Sequence, residues 1–171
     1  TPNNATLIIV GDVNHSEALQ QVQKYFGDIP KRPTPQRNDV TEFDCVGYRH
    51  MEVALPVQVP NLLMAWNTRS LPTAKNPQDA YALTIIRSVL DGSISARLQN
   101  KLVREQKKLT AISVSYDPYN RGDSLFNISA LPAEGVSLAE AEKAIQNEMD
   151  LLKTELIQPE ELERVKSNFI S

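Results

Sequence analysis

Four basic side chains recur every three or four residues in the middle of this sequence, a spacing that places them along one side of a helix. These residues, which we call the basic stripe, are Arg97, Lys101, Arg104 and Lys108. Arg104 lies near the predicted helix end, where its planar guanidinium offers a bidentate donor fork to a peptide carbonyl or carboxylate. A solvated helix face is the alternative, and the residue types alone favour it, because lysine and arginine are strong helix formers.

Metal or general-base chemistry would have to use the two histidines, His15 and His50. A catalytic zinc site ordinarily takes three protein ligands, and neither His-x-x-Glu-His nor its inverted form occurs in the sequence. Neither histidine accompanies a Gly-x-Ser-x-Gly turn, so a serine or cysteine hydrolase is disfavoured as well. We therefore predict no catalytic residue, no metal ligand and no cofactor in this chain.

Composition and charge narrow the class of protein. Of the 171 residues, 41% are hydrophobic and 23% are charged, which is typical of a globular protein. A net charge of −3 provides no general attraction for nucleic acid or for an anionic membrane, so the basic stripe can act only locally. No run approaches the roughly 18 apolar residues of a membrane span. The single cysteine, Cys45, cannot form an internal disulfide.

The pattern of apolar residues predicts the elements on the amino-terminal side of the stripe. A buried strand over 5–13 opens the chain, followed by a helix that Asn14 caps and Gly27 ends. Alternating apolar residues over 48–55 predict a half-buried strand, and the apolar run over 61–66 predicts a central strand beside it.

Capping residues predict the helices and strands that follow. A helix capped by Asn76 precedes the stripe helix, for which Ser93 or Ser95 is the predicted N-cap. A hairpin over 111–132 and two further helices, the first of them capped by Ser137, complete the pattern.

This order of elements predicts an α+β fold in which an antiparallel sheet is covered by helices on one face. We expect residues 1–27 to be the closing strand and helix of a preceding lobe, and the proline-rich residues 28–47 to be a linker. We expect residues 48–171 to form the second domain, truncated at its C-terminus. The missing initiator methionine and a helical pattern that continues to the last residues indicate a fragment of a longer polypeptide.

Several segments together resemble the insulinase and pitrilysin type zinc peptidases, a family that includes the mitochondrial processing peptidase. PNNATLIIVGDVN is similar to the strand that closes their first homologous domain, and VPNLLMAW to the opening strands of the next. LDGSISARLQNKLVRE is similar to the helix junction that follows, and SVSYDPY and LERVKSNF extend the resemblance over essentially the whole chain. The order and spacing of these segments carry the resemblance.

The resemblance implies the metallohydrolase fold of that family and assigns this chain to its noncatalytic second half. Zinc is then expected in a sister domain or subunit, with which this chain would enclose a chamber for endopeptidase cleavage of peptides. Nucleic acid and a membrane span are not expected, and a homodimer is a further option. The family also implies a bacterial setting, periplasmic or cytoplasmic, with the compartment left open.

Family members often carry an arginine and a tyrosine seven residues apart in this half, positioned to hold the substrate backbone. Arg104 matches the arginine and is the implied substrate-binding residue, but Ala111 stands at the tyrosine position. Alanine lacks the phenolic donor that would stabilise a transition state, and Tyr116 is the alternative donor. A second hypothesis, which Ala111 favours, is a structural or assembly module without proteolytic activity.

Overall fold

The structure, a computed structural model, describes residues 2–34, 36 and 47–170. The chain divides into two units, Thr1–Val40 and Thr41–Ser171, and each is described by itself. Much of the predicted linker, positions 35 and 37–46, lies outside the described residues. The expected boundaries of the lobe, linker and second domain therefore stay a prediction.

The smaller unit contains a short 3₁₀ helix, Pro2–Asn4, and helix α1, His15–Phe26. Asn14 caps α1 as predicted, because its Oδ1 accepts a hydrogen bond from the amide of Ser16 at 2.9 Å. The predicted buried strand over 5–13 is wrong, since these residues form no strand and their side chains are exposed. Their composition suits a strand, but a strand needs a hydrogen-bonded neighbour, and no described residue of this unit provides one.

The larger unit is built on a three-stranded antiparallel sheet with the order β1-β3-β2. The strands are β1, Leu62–Thr68, β2, Leu109–Ser115, and β3, Ser124–Pro132. The predicted β2–β3 hairpin is confirmed, although residues 116–123 connect it with a loop longer than the expected tight turn. The prediction that β1 is central is wrong, because β1 lies at an edge of the sheet. Only alternate side chains of β1 are partly buried, and those between them are exposed.

The alternating segment over 48–55 does not form the strand predicted beside β1. Its side chains are exposed, with Met51 at 83% exposure. The start of the segment is held instead by Tyr48, whose hydroxyl donates to Glu142 Oε1 at 2.8 Å. Alternation shows which side chains could share a face, but it does not specify the strand that must supply the backbone hydrogen bonds.

The helical segments of the larger unit are α2, Pro77–Asp91, a π-helix, Gln99–Glu105, α3, Leu138–Thr154, and α4, Pro159–Ile170. Asn76 caps α2 and Ser137 caps α3, both as predicted. In α3 the capping box is complete, because the side chain of Glu140 also accepts from the backbone amide of Ser137 at 2.9 Å.

The predicted N-cap of the stripe helix is wrong. Leu98 precedes the π-helix and forms no side-chain capping hydrogen bond. The hydroxyls of Ser93 and Ser95 accept hydrogen bonds from Arg164 of α4 instead. A serine after a glycine is available for capping, but here the approach of α4 supplies a stronger, charged donor.

The helices cover one face of the sheet. The alternate β3 residues Phe126, Ile128 and Ala130 are buried in a core to which α2, the π-helix and α3 contribute. This arrangement confirms the predicted α+β fold with helices on one face. The other face, which we call the open face, carries exposed or half-buried side chains: Leu63, Ala65, Asn67, Ala111, Ser113, Ser115, Leu125, Asn127, Ser129 and Leu131.

Candidate functional site

Arg97, the first residue of the basic stripe, anchors α4. Its Nε and Nη2 donate to Oε1 and Oε2 of Glu161 at 3.0 and 2.6 Å, in a bidentate arrangement. The two side chains are only 22% and 16% exposed, and the hydrogen bonds to Glu161 raise the pKa of Arg97. Arg97 therefore fixes the first turn of α4 and does not have its fork available for a ligand.

Lys101, the second residue of the stripe, is paired within the π-helix. Its Nζ lies 2.9 Å from Glu105 Oε2, and Asn100 donates to the other oxygen of that carboxylate at 2.9 Å. The hydrogen bond to Glu105 raises the pKa of Lys101. Both side chains of the pair are about half exposed, so the pair adds little stability but occupies the ammonium group.

Arg104 differs from these two neighbours because its fork is free. The side chain is exposed, and among the described residues it has no hydrogen-bond or ion-pair partner. Lys108 instead lies near the start of α3. There its charge adds to the hydrogen bonds from Ser137 that lower the pKa of Glu140. Within the described stripe, Arg104 therefore combines exposure with an unoccupied planar donor group.

The π-helix ends in a sharp turn that fixes Arg104 relative to β2. Lys107 has a positive φ of 51°, and the amide of Lys108 donates to the carbonyl of Leu102 at 2.9 Å around it. A side chain other than glycine pays roughly 1 kcal/mol for such a conformation. The buried Leu102 side chain holds the turn against the core, so this strained connection is maintained by packing.

Ala111, which stands where the family often has tyrosine, lies on the open face opposite Leu131 of β3. The pairing register shifts between Leu109 and Ala111. Tyr116 follows the far end of β2, about 23 Å from the strand start at ~3.3 Å per residue. Its hydroxyl donates to the carbonyl of Arg69 at 2.6 Å, so it is engaged away from Arg104.

Side chains from the helices occupy the outer edge of β2, the edge that faces away from β3. Asp91 Oδ2 accepts from the amide of Val114 at 2.8 Å, and Gln99 Nε2 donates to the carbonyl of Ile112 at 2.8 Å. Arg87 Nε donates to the carbonyl of Val114 at 3.2 Å, and Gln99 also bonds Asp91 Oδ1 at 3.0 Å. These contacts satisfy backbone groups that an added strand would otherwise use.

The sequence contains one signal, which our prediction missed, for these hydrogen bonds to the outer edge of β2. Asp91 is the last residue of α2, where a carboxylate is unfavourable because the helix C-terminus carries a partial negative charge. An acidic residue at that position indicates a specific partner. Here the partners are the Val114 amide and the Gln99 side chain.

The two histidines lie in separate parts of the described chain. His15 is the first residue of α1, and His50 stacks on Tyr48 with ring centroids 6.2 Å apart. In the portions that the structure describes, no three His, Cys, Asp or Glu side chains are grouped closely enough to hold a metal ion. Likewise, none of the described helices is long and apolar enough to cross a membrane.

A groove of about 550 Å³ lies beside the far end of β2. Its lining includes four aromatic side chains, which are Tyr81, Tyr116, Tyr119 and Phe169. Because Tyr116 follows the strand end remote from the π-helix, this groove and Arg104 belong to different parts of the unit.

Comparison with known proteins assigns the family. The model for the peptidase M16 inactive domain matches residues 1–169. The chain belongs to the peptidase M16 family, as its inactive domain. Among solved structures, this M16 domain is similar to a protease from Helicobacter pylori, with a TM-score of 0.75 and 22% identity. The similarity covers 94% of this chain but only 40% of the protease chain. None of the curated proteins compared with this sequence matches it significantly.

Proposed function

We propose that this M16 inactive domain is the noncatalytic part of a zinc metalloendopeptidase, in which it forms a wall of the substrate chamber. Zinc and the cleavage chemistry would reside in a sister domain or subunit. The family assignment supports this role, and the chain covers 40% of the similar protease, as expected for about one half of such a protein. The two halves together would bind and cleave peptides.

The exposed fork of Arg104 is the observation that carries the proposal for substrate contact. Arg97 and Lys101 are held by acidic partners, whereas the guanidinium of Arg104 has no partner among the described residues. A free guanidinium fork can donate two parallel hydrogen bonds to a peptide carbonyl or a carboxylate. Arg104 would therefore orient the substrate backbone toward the sister unit.

The open face of the sheet would provide the adjoining chamber wall. Ser113 and Ser115 of β2 are exposed there, and their hydroxyls can both donate to and accept from a peptide. Strand addition at β2 does not contribute, because Asp91, Gln99 and Arg87 already occupy that outer edge. Substrate contact at this strand would be made by side chains.

Substitution of Arg104 in the complete parent protein tests this role. We expect Arg104→Ala to lower kcat/KM for peptide cleavage by about tenfold or more, since a charge-assisted contact contributes roughly 1.5–3 kcal/mol. Arg104→Lys should recover only part of the activity, because lysine lacks the planar fork. Lys101→Ala, in the same helix, is the matched control and should change kcat/KM less than twofold, as expected of an exposed pair. Equal effects of Arg104→Ala and Lys101→Ala would reject the substrate contact.

A structural or assembly module is the alternative function, and Ala111 favours it. Without a tyrosine at that position the arginine acts alone, which weakens any contribution to a transition state. In this case the assembled parent protein would bind no peptide through Arg104, and deletion of this domain would abolish assembly. Co-purification of the two halves, measured beside peptide cleavage, distinguishes the two functions.

A further inference from the structure

The groove of about 550 Å³ beside the far end of β2 contains an arginine with free donor groups. Arg87 Nε donates to the carbonyl of Val114 at 3.2 Å, and this hydrogen bond fixes the guanidinium at the groove. Among the described residues, its two Nη nitrogens have no hydrogen-bond or ion-pair partner. The side chain is partly buried, so its charge has lost some of its water and gains from binding an anion.

The lining of the groove offers Arg87 no acidic partner. Among the described residues that line it, Arg87 alone is charged. Asp117, in the adjoining loop, is not part of the lining, and its Oδ1 accepts from the amide of Tyr119 at 2.9 Å. A carboxylate complements this site best, because it can accept two parallel hydrogen bonds from the free Nη nitrogens.

The backbone of Tyr116 provides a second set of groups for a ligand. Side chains from the helices bond the outward carbonyls of Ile112 and Val114 and the outward amide of Val114. Tyr116 is the next residue to face outward in this alternation. Its amide and carbonyl form no hydrogen bond with a described residue, so they can bond the main chain of a peptide.

The occupied part of the β2 edge determines which end of a peptide fits. Because Asp91 and Arg87 bond the backbone of Val114, a chain that pairs with Tyr116 cannot continue along β2. A peptide antiparallel to β2 would therefore end there, with its C-terminal carboxylate at Arg87. A parallel peptide would instead bring an N-terminal ammonium group to that point, and the guanidinium would repel it.

We propose that this groove binds the C-terminus of a peptide whose last side chain is aromatic or large and apolar. The terminal carboxylate bonds the Nη nitrogens of Arg87, and the main chain bonds the backbone of Tyr116. Tyr81, Tyr119 and Phe169 line the groove and are exposed, so their rings are accessible to the last side chain. The site is separate from Arg104 and does not depend on peptide cleavage.

A peptide series measures this recognition by calorimetry on the complete parent protein, with a chelator present to prevent cleavage. We expect an acetylated oligo-alanine peptide that ends in phenylalanine to bind with a dissociation constant on the order of 100 µM. Its C-terminal amide should bind at least about tenfold more weakly, because the charge-assisted hydrogen bonds are lost. A final alanine in place of phenylalanine should weaken binding about threefold or more. An amidated peptide with an internal glutamate should bind as weakly as the neutral amide.

Substitutions locate the binding site. Arg87→Gln can still donate to the Val114 carbonyl but lacks the charged fork, so it should weaken binding of the free acid at least about tenfold. It should also remove the difference between acid and amide. Arg121→Gln is the matched control, because it removes a positive charge from the adjoining loop and not from the lining. Arg121→Gln and Arg104→Ala should each change the dissociation constant less than about twofold, and thermal unfolding checks the fold of all three variants.

Each of the other outcomes would overturn the proposal. Equal affinity of the native protein for acid and amide, or equal weakening by Arg87→Gln and Arg121→Gln, would exclude a carboxylate at Arg87. Tight binding of the amidated glutamate peptide would assign the carboxylate to a side chain. If another part of the parent protein fills the groove, no peptide will bind through Arg87. Weakening by Arg104→Ala alone would place the peptide at the proposed substrate contact, which separates a failure of this inference from a failure of the proposed function.

Discussion

The carboxylate of Asp91 accepts a hydrogen bond from the backbone amide of Val114 at 2.8 Å, which joins the end of α2 to the outer edge of β2. Gln99 strengthens the contact, because its Nε2 bonds both Asp91 and the carbonyl of Ile112. A helix C-terminus and a strand edge each leave backbone groups without partners. In this domain the carboxylate of Asp91 and the side-chain amide of Gln99 together satisfy two backbone groups at the outer edge of β2, the amide of Val114 and the carbonyl of Ile112.

Replacement of Asp91 should destabilise the domain through unsatisfied donors. Asp91→Ala leaves the Val114 amide without an acceptor and removes one of the two acceptors of the Gln99 side chain, so we expect a loss of about 2 kcal/mol in the free energy of unfolding. Asp91→Asn keeps one acceptor oxygen and should cost less. Urea unfolding measures both variants, and a loss below about 0.5 kcal/mol for Asp91→Ala would show that water replaces the carboxylate.

The Arg97–Glu161 pair should contribute measurably to the docking of α4. The pair is bidentate and mostly buried, so we expect a coupling energy of about 1 kcal/mol in a double-mutant cycle with Arg97→Gln and Glu161→Gln. The exposed Lys101–Glu105 pair is the internal comparison, with an expected coupling below about 0.5 kcal/mol. Similar couplings for the two pairs would mean that burial of Arg97 brings no advantage.

The capping box of α3 should make stability depend on pH in a defined direction. Hydrogen bonds from the Ser137 backbone and hydroxyl hold the pKa of Glu140 below its ordinary value of 4.5. A carboxyl group whose pKa is lower in the folded than in the unfolded state stabilises the fold at pH values above its unfolded-state pKa. This contribution is lost as the pH falls through its folded-state pKa. At pH 7 we expect Ser137→Ala to cost about 1 kcal/mol, as other N-cap replacements do.

Unfolding curves at pH 7 and pH 3 test that direction. The difference between the native sequence and Ser137→Ala should shrink on acidification, because protonation of Glu140 removes the charge that strengthens its hydrogen bond from the Ser137 hydroxyl, which is the bond that the substitution deletes. Glu140→Gln supplies the control background, since glutamine does not titrate and the cost of Ser137→Ala in that background should vary little between pH 7 and pH 3. A difference that grows toward pH 3 would contradict the sign.

Sequence patterns were sufficient where the determinant of structure was local. Asn76 and Ser137 identify the starts of α2 and α3, because capping depends on residues within one turn. The alternation of β2 and β3 identified a hairpin whose two strands bond each other. The α+β class followed from the order of these elements.

Predictions failed where the determinant was a distant partner. The segments over 5–13 and 48–55 have strand-like patterns, but in the described structure neither has a neighbouring strand to bond. The exposed side of β1 was missed because Leu63 and Ala65 look like core residues until the strand order places them on the open face. The pairing of Arg97 with Glu161 likewise joins residues far apart in sequence, which no local spacing reveals.

The sequence predicted the position of Arg104 on the helix, but not whether its side chain has a partner. Helical spacing placed Arg104 with three other basic residues, but it could not show which of them would be paired. The structure shows partners for Arg97 and Lys101 and none, among described residues, for Arg104. Its contact with peptide stays a prediction.

Peptide hydrolysis by separated and recombined halves of the parent protein tests the proposed noncatalytic role most directly. We expect this chain alone to release no product, the zinc-bearing half alone to cleave slowly, and the two together to cleave with a kcat/KM higher by about tenfold or more, since binding and orientation of the substrate would need both walls. A chelator should abolish the combined activity. Chelator-sensitive hydrolysis by this chain alone would contradict the role, as would an unchanged kcat/KM when the halves are combined.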